Sequence, residues 1–542
     1  MTESVLDVLI IGGGLSGLAA GNYLYEHGEK NFIILEARDR VGGRTWTINH
    51  KNHPVDVGGA YVGPFQNRIL RLAREFGIQT YRIDNKGKNI LRFSNGHRLE
   101  YSKTIPTPIG IFNLLDLNYL LCRTQELCEQ ISNVTPWSNA ELMNKFDSMT
   151  VEVWLDTLAE TNEAKEIYRA AVRTIVCVEP SEVSMFAWLT YINNGCGIMR
   201  LCEVENGAQE RKFLGGSQQI SDRLCDKLGT DRVLLNHAVQ DVHWSPNSEF
   251  VQVMCENHRQ FTCRHLIIAL APSLYKTINF QPALPDKKLE ATQRMYMGSI
   301  IKTITVFDRP YWKEAGFSGS ILNTAQVAEP VVFSYDDSAK AKQFYALMGF
   351  VVADSSRKWA QHTREERRLA VCEQYAQAFH CPQMLTGCRD YIEQNWSDEK
   401  FSGGCYTDIM PPNLLSSLKD QLRTPCGDHG QILFAGTELA TRFSGYMDGA
   451  VQAGERAAFD LLNKYLQREN LREQLTWIDD EPVDDREDCR PRDVTQWMYG
   501  PSKIEMLLPR SSTVRTVLRI GTVIVVGLIA YTCRSRLSML LK

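Results

Sequence analysis

Two stretches at opposite ends of the chain carry residues that could do chemistry together. One reads Ser402-Gly403-Gly404-Cys405-Tyr406-Thr407, the other Gly12-Gly13-Gly14-Leu15-Ser16-Gly17. A thiol in the first setting can add to the 8-methyl group of a flavin and leave a thioether. The Gly-x-Gly-x-x-Gly turn can cradle the pyrophosphate of the same dinucleotide. Gly12 allows the tight turn, Gly14 the close approach of a phosphate, and Gly17 close packing of the following helix. Taken alone, Cys405 reads equally well as a plain buried cysteine. The glycine turn is more specific, because Glu36 follows about twenty residues on, where a carboxylate can bind ribose hydroxyls.

Past Glu36 the chain continues Ala37-Arg38-Asp39-Arg40-Val41-Gly42-Gly43-Arg44. Arg44 and its neighbours can neutralise pyrophosphate charge, although Arg38 or Arg40 singly reads as a solvated face. Asp56-Val57-Gly58-Gly59-Ala60-Tyr61 offers a second backbone-exposing turn. Lys302 alternates onto the more apolar face of Ile300–Val306. There it is costly unless it serves something, such as holding a water against a flavin or activating oxygen. The plainer reading is a snorkelling edge-strand lysine. Tyr406 and Tyr446 each lie beside a presumptive flavin contact and could form an aromatic slot for a neutral amine, or be core tyrosines with satisfied hydroxyls. A small-residue helix is expected from Gly449, its N-terminus available to a flavin carbonyl that gains negative charge on reduction.

These residues need elements to place them. Val5–Ile11 reads as a buried parallel strand, residues 18–26 as the helix after the glycines, and residues 31–35 as a second strand ending at Glu36. Residues 211–217 read as a loop re-entering the same domain, followed by a helix to Lys227. Further strands are expected at 233–235, 250–254 and 265–270. The span 86–210 is helix-rich, and 296–394 mixes strands at 300–307 and 345–352 with a helix at 364–379. The expected fold class is α/β, with a discontinuous Rossmann-like FAD-binding domain assembled from 1–85, 211–295 and 395–462. An α+β substrate domain comes from 86–210 and 296–394.

The chain has 542 residues, more than one ordinary core needs. A net charge of −4 leaves no nucleic-acid footprint. Its 15 cysteines are odd in number and lack paired CxxC spacing, which argues against a disulfide scaffold and a metal site. No basic leader with a cleavage site precedes the first strand. Residues 463–513 turn acidic and read as a solvated linker. Residues 520–533 carry no charge and are bracketed by Arg515, Arg519, Arg534 and Arg536. Extended back to Val514 they reach about 20 residues, enough for a short membrane anchor over 514–535. A mitochondrial outer membrane is the expected destination, with endoplasmic reticulum the rival.

Together these segments resemble the flavin monoamine oxidases. The resemblance runs from about Val5 to Leu462 and resumes in the anchor. It is carried by Glu36-Ala37-Arg38-Asp39-Arg40-Val41-Gly42-Gly43-Arg44-Thr45, Gly207-Ala208-Gln209-Glu210-Arg211-Lys212-Phe213, Ser402-Gly403-Gly404-Cys405-Tyr406 and Gly445-Tyr446-Met447-Asp448-Gly449-Ala450. Related polyamine and amino-acid oxidases share the N-terminal motifs but lack the cysteine in this context. The resemblance implies FAD joined through its 8α carbon to the sulfur of Cys405, and Lys302 reaching flavin N5 through a water. It implies Tyr406 and Tyr446 as an aromatic cage, and Tyr61, Thr174, Ile175, Cys202, Gln209, Phe333 and Phe350 around the substrate. Cofactor contacts are expected at Gly12, Gly14, Gly17, Glu36, Arg38, Gly43, Arg44, Gly59, Val239, Trp396, Cys405 and Met447. Cys202 and Phe333 follow neither mammalian cavity type, which leaves the preferred amine open.

The expected activity is oxidative deamination of monoamines, aryl-alkyl amines favoured, to aldehyde, ammonia and hydrogen peroxide using O2. The expected partners are a small amine, O2 and a membrane, with a homodimer possible, no nucleic acid, and the catalytic body facing the cytosol. Two rivals stand beside this reading. One is a polyamine or L-amino-acid oxidase with non-covalent FAD, which should place carboxylates or an arginine in a cavity here expected to be apolar or neutral. The other is a flavin-binding membrane scaffold without turnover.

Overall fold

Leu6–Ile11 forms strand β1, since an unbroken apolar run is buried on both faces only inside a parallel sheet. The computed structural model describes residues 5–325, 328–339, 343–467 and 500–520. Helix α1 spans Leu15–Glu26 and begins three residues before the expected start, taking Gly17 into its first turn. The reason is steric. A Cβ on Gly17 would lie 1.9 Å from the Gly12 carbonyl oxygen, so only glycine lets the helix start this close to the strand it leaves. Gly17→Ala is therefore expected to destabilise the fold by about 3 kcal/mol, read by urea unfolding. Gly14 differs, because a Cβ there would meet only the Gly43 Cα at 3.9 Å. Gly14→Ala is expected to fold normally yet take up less flavin during expression, read from the flavin-to-protein absorbance ratio of the purified protein.

Strand β2 (Phe32–Leu35) pairs parallel with β1 and delivers Glu36 to the sheet's end. The sheet has eight strands. Val233–Leu234, β2, β1, Gln260–Ile268, Val251–Cys255, Val239–His243 and Asn279–Gln281 follow one another, and Ile432–Phe434 pairs parallel with Gln260–Ile268. It thus draws strands from three separated stretches of chain.

A second sheet of seven strands comprises β3 (Lys88–Arg92), β4 (Arg98–Tyr101), β5 (Ile300–Phe307), β6 (Phe317–Asn323), β7 (Phe333–Asp336), β8 (Tyr345–Val352) and β9 (Cys388–Asn395). Their spatial order is β9-β5-β8-β7-β6-β3-β4. Lys302 lies on β5, with a neighbour on each side, so it is not an edge-strand lysine. The helix Arg364–Ala378 covers this sheet and starts with a capping box at Thr363 and Glu366. Helices between Ile111 and Cys202 form a further apolar layer that includes Trp154, Tyr168, Phe186 and Trp188.

Arg211–Phe213 is a buried strand where a loop was expected, pairing with Tyr61–Val62 and Thr80–Arg82. Its polarity is absorbed by ion pairs. The Lys212 ammonium lies 2.6 Å from Asp337 and 3.7 Å from Asp56. Helix α2 (Met447–Asp460) begins two residues before Gly449 and packs on α1. A Cβ on Gly454 would come within 2.0 Å of the Ser16 carbonyl oxygen, so the crossing depends on that glycine.

Residues 500–520 dock beside the helical layer. Arg510 pairs with Glu160 at 2.9 Å and lies over the Tyr119 ring, and Arg515 lies over Phe112. Among the described residues no helix is long and apolar enough to cross a membrane. Residues 511–520 are helical, while most of the expected linker and residues 521–542 lie outside the described residues. The thirteen cysteines among the described residues are all free thiols.

Candidate active site

At the carboxyl end of β1 the glycine turn and Glu36 meet. The Gly13 N–H donates to a Glu36 carboxylate oxygen at 2.7 Å, and the Arg38 N–H donates to the other at 2.9 Å. The Arg38 guanidinium reaches Glu399 at 3.3 Å and donates to the Ser402 hydroxyl at 2.9 Å. It therefore ties the first dinucleotide turn to the segment preceding Cys405. Arg40 points elsewhere, donating to the Gly43 carbonyl and lying 4.5 Å over the Trp46 ring.

From this turn a single cavity of about 860 Å³ runs through the molecule. Its wall includes Gly12, Gly14, Glu36, Arg38, Gly43 and Arg44 with Gly59, Trp396, Cys405 and Met447. Lys302, Tyr406 and Tyr446 line the same cavity, as do Tyr61, Thr174, Ile175, Cys202, Gln209, Phe333 and Phe350. Of the residues singled out from the sequence, Gly17 and Val239 do not line it. Gly17 sits beneath the turn, and Val239 is packed in the apolar cluster under the first sheet.

The β-sheet register sets part of this order. Lys302 on β5 pairs with Phe350 on β8, which pairs with Phe333 on β7, so all three share one face. The Lys302 ammonium donates to the Gly58 carbonyl at 2.8 Å and is 4 % exposed. Burial, seconded by the nearby Lys212 charge, lowers its pKa from the usual lysine value to about 8. Phe350 packs edge-on to Tyr406 with ring centres 5.9 Å apart. The Tyr406 hydroxyl hydrogen-bonds the Cys177 thiol, and the Tyr446 hydroxyl bonds Tyr191, so both rings are held from behind.

Cys405 is buried, and its N–H donates to the Gly298 carbonyl at 2.9 Å. Burial pushes its thiol up to about 12, against the pull of Arg44 and Arg38. The Cys405–Tyr406 peptide is cis. Just past it, Asp408–Ile409 pairs with Tyr296–Met297 as a short antiparallel ladder.

The residues present fit a flavin dinucleotide. The glycine turn is open where a phosphate would approach, the Glu36 carboxylate is held against that turn, and the Cys405 thiol belongs to the wall of the same cavity. Comparison with known proteins decides the family. Residues 15–462 match the family model for flavin containing amine oxidoreductases. The chain belongs to this family. It is 39% identical over 464 residues to flavin-containing amine oxidase A of Equus caballus, covering 85% of this chain and 86% of the relative. Flavin-containing amine oxidase B of Mus musculus is 40% identical over 458 residues, 84% and 86% of the two chains. Among solved structures, cyclohexylamine oxidase from Brevibacterium oxydans superposes with a TM-score of 0.79 at 30% identity, covering 86% of this chain and all of that one. Putrescine oxidase bound to putrescine superposes with the same score at 26% identity, covering 85% of this chain.

The protein is thus a flavin-containing amine oxidase, and several groups around its cavity escaped the sequence reading. Arg44, expected to neutralise pyrophosphate charge, is tied into the cysteine segment. Its guanidinium pairs with Glu438 at 2.6 Å and donates to the Tyr406 carbonyl at 2.9 Å. This pair keeps Glu438 ionised, while burial beside it raises the Asp408 carboxyl to about 7. Glu438 also accepts from the Thr407 hydroxyl at 3.1 Å, so the strand end at Ala435-Gly436-Thr437-Glu438 positions the cysteine segment. Tyr101, Tyr191 and Tyr335 line the cavity as well. The cavity is also less neutral than expected, because Asp84, Glu203, Glu205 and Asp336 line it with Lys103. Nothing in local sequence marks these residues as neighbours. They come together through the second sheet and the turn after Cys202.

Proposed function

We propose that this amine oxidase deaminates neutral monoamines, aryl-alkyl amines foremost, with FAD carried as a thioether on Cys405. The observation carrying the reading is the convergence of Cys405, Lys302, Tyr406 and Tyr446 on the cavity that continues from Gly12 and Glu36. When bound, FAD supplies a two-electron acceptor that oxygen regenerates with release of hydrogen peroxide. Glu36 would hold the ribose, and the turn at Gly12 and Gly14 the pyrophosphate. Tyr406 and Tyr446 would flank the amine and aim its nitrogen. The same desolvation that lowers the Lys302 ammonium to about 8 also favours the uncharged form of a bound alkylamine. Lys302 serves the oxygen half-reaction. In this reading the cofactor domain is built from 1–85, 211–295 and 395–462 and the substrate domain from 86–210 and 296–394.

The C-terminal segment 514–535 tethers the enzyme to a membrane, the mitochondrial outer membrane foremost, with the catalytic body in the cytosol. Support comes from the uncharged run 520–533. It comes also from exposed apolar side chains at Ile504, Leu507, Val517, Leu518 and Ile520 in the stretch leading to it.

A panel of phenethylamine, serotonin, putrescine and spermine with a peroxide readout tests the substrate class. Peroxide from the first two, with putrescine and spermine slower by about 100-fold in kcat/KM, is the expected result. A second reading, oxidation of diamines, draws on Asp84, Glu203 and Glu205 in the cavity wall, where a carboxylate can meet a distal ammonium. Putrescine as the best substrate would establish it and remove the first.

A further inference from the structure

Tyr335 is a phenol with nothing to do in the protein. It sits on β7 and is 6 % exposed, yet it lines the cavity. Its ring is locked edge-on against Phe333, with centres 4.4 Å apart, and tilted against Tyr61 at 5.7 Å. No side chain or backbone group among the described residues hydrogen-bonds its hydroxyl. Nor is that hydroxyl one of the fully enclosed polar atoms left without a partner, so it opens onto the cavity. Burial keeps it firmly protonated, and Cys202, Tyr101 and Tyr446 push in the same direction. A phenol so placed is a fixed donor and acceptor beside the apolar side chains of Phe333, Phe350 and Ile175 in the cavity wall.

Its position relative to the chemistry follows from register. Lys302 pairs with Phe350 and Phe350 with Phe333, and Tyr335 is two residues further along the same strand and face. Two strand spacings separate β5 from β7, on the order of 10 Å. Tyr406 packs on Phe350, the β8 residue between Lys302 and Phe333, so an arylethylamine whose nitrogen lies beside Tyr406 can extend its ring across this face toward Tyr335. A polar group held in an apolar chamber without a partner costs free energy, and a ligand hydroxyl that pairs with it recovers that cost.

We propose that Tyr335 is a specificity-determining residue, selecting aryl-alkyl amines that carry a ring hydroxyl by hydrogen bonding that hydroxyl. The inference rests on the monoamine reading above. Phenethylamine and its 4-hydroxy derivative differ only by the group in question. For the holoenzyme, the ratio of their kcat/KM values is expected to favour the hydroxylated amine and to fall about threefold to tenfold in Tyr335→Phe. The change should sit in KM rather than kcat, as for an interaction made equally in the bound and reacting states. Tyr101→Phe, which removes the neighbouring phenol, should move the ratio less. An unchanged ratio in Tyr335→Phe, or a ratio moved by Tyr101→Phe alone, overturns the proposal. Anaerobic calorimetric titration of both amines into the same two holoenzymes, with their flavin first reduced by dithionite so that no electrons can pass, gives the matching Kd ratio. If neither amine is turned over, the monoamine reading fails, and the Kd ratio still decides for or against Tyr335.

Discussion

Cys405→Ala is expected to free the flavin. Acid-precipitated wild-type protein should stay yellow, and the variant should leave its FAD in the supernatant. The glycine turn, Glu36 and Arg38 remain intact, so the variant should still bind FAD reversibly and lose it on dialysis. Among the described residues two thiols line the cavity, Cys405 and Cys202, while Cys177 is fully buried behind Tyr406. Cys177→Ala should therefore keep the flavin attached. Because burial pushes the Cys405 thiol up to about 12, little thiolate exists at neutral pH in the folded protein. Attachment of FAD to apoprotein is accordingly expected to quicken between pH 7 and about 9. Flavin that remains on the polypeptide in Cys405→Ala would refute the tether.

Lys302→Met should cut peroxide production by about 100-fold or more, a size usual for loss of a positioned acid–base group. Flavin content and its attachment to Cys405 should be unchanged, which separates a catalytic loss from a folding one. The pH behaviour distinguishes it further. In the folded protein Lys302 titrates near 8, below its unfolded value of about 10.4. Between those two values the unfolded chain keeps a proton that the folded chain has released. Stability from this group therefore rises with pH across that window, and the cost of burying the ammonium is fully present below pH 8. Replacing Lys302 by Met removes a cost on the order of 3 kcal/mol at pH 7, offset by the lost bond to the Gly58 carbonyl. Relative to wild type, the variant should gain stability at pH 7 and lose that gain by pH 10, measured by urea unfolding. Full peroxide turnover in Lys302→Met would remove the lysine from the chemistry.

Particular elements show how far local sequence reaches. Strands β5 and β8 and the helix from Arg364 stand where periodicity placed them, because long, evenly patterned segments have one face that must be buried. The start of α1 and the strand at Arg211–Phe213 did not follow from pattern. One depends on how close two backbones approach at Gly17, the other on ion pairs between Lys212 and two aspartates from distant segments. Charge in the cavity wall was missed for the same reason. Glu203 and Asp84 look like ordinary solvated residues until the fold places them along the cavity.

The residue types and their local spacing determined a strand, a glycine turn and a helix with an acid at the end of the next strand, and set a cysteine and two tyrosines far downstream. Those features are written locally, since a turn, a periodicity or a motif involves neighbours in the chain. Only the tertiary structure decided that Cys405 and Lys302 share one chamber with Glu36, that Arg44 and Glu438 lock the cysteine segment, and that the Tyr335 ring lines that same chamber. Each of those facts is a contact between segments hundreds of residues apart, set by strand register and by which face of each sheet is buried, and no local pattern encodes it.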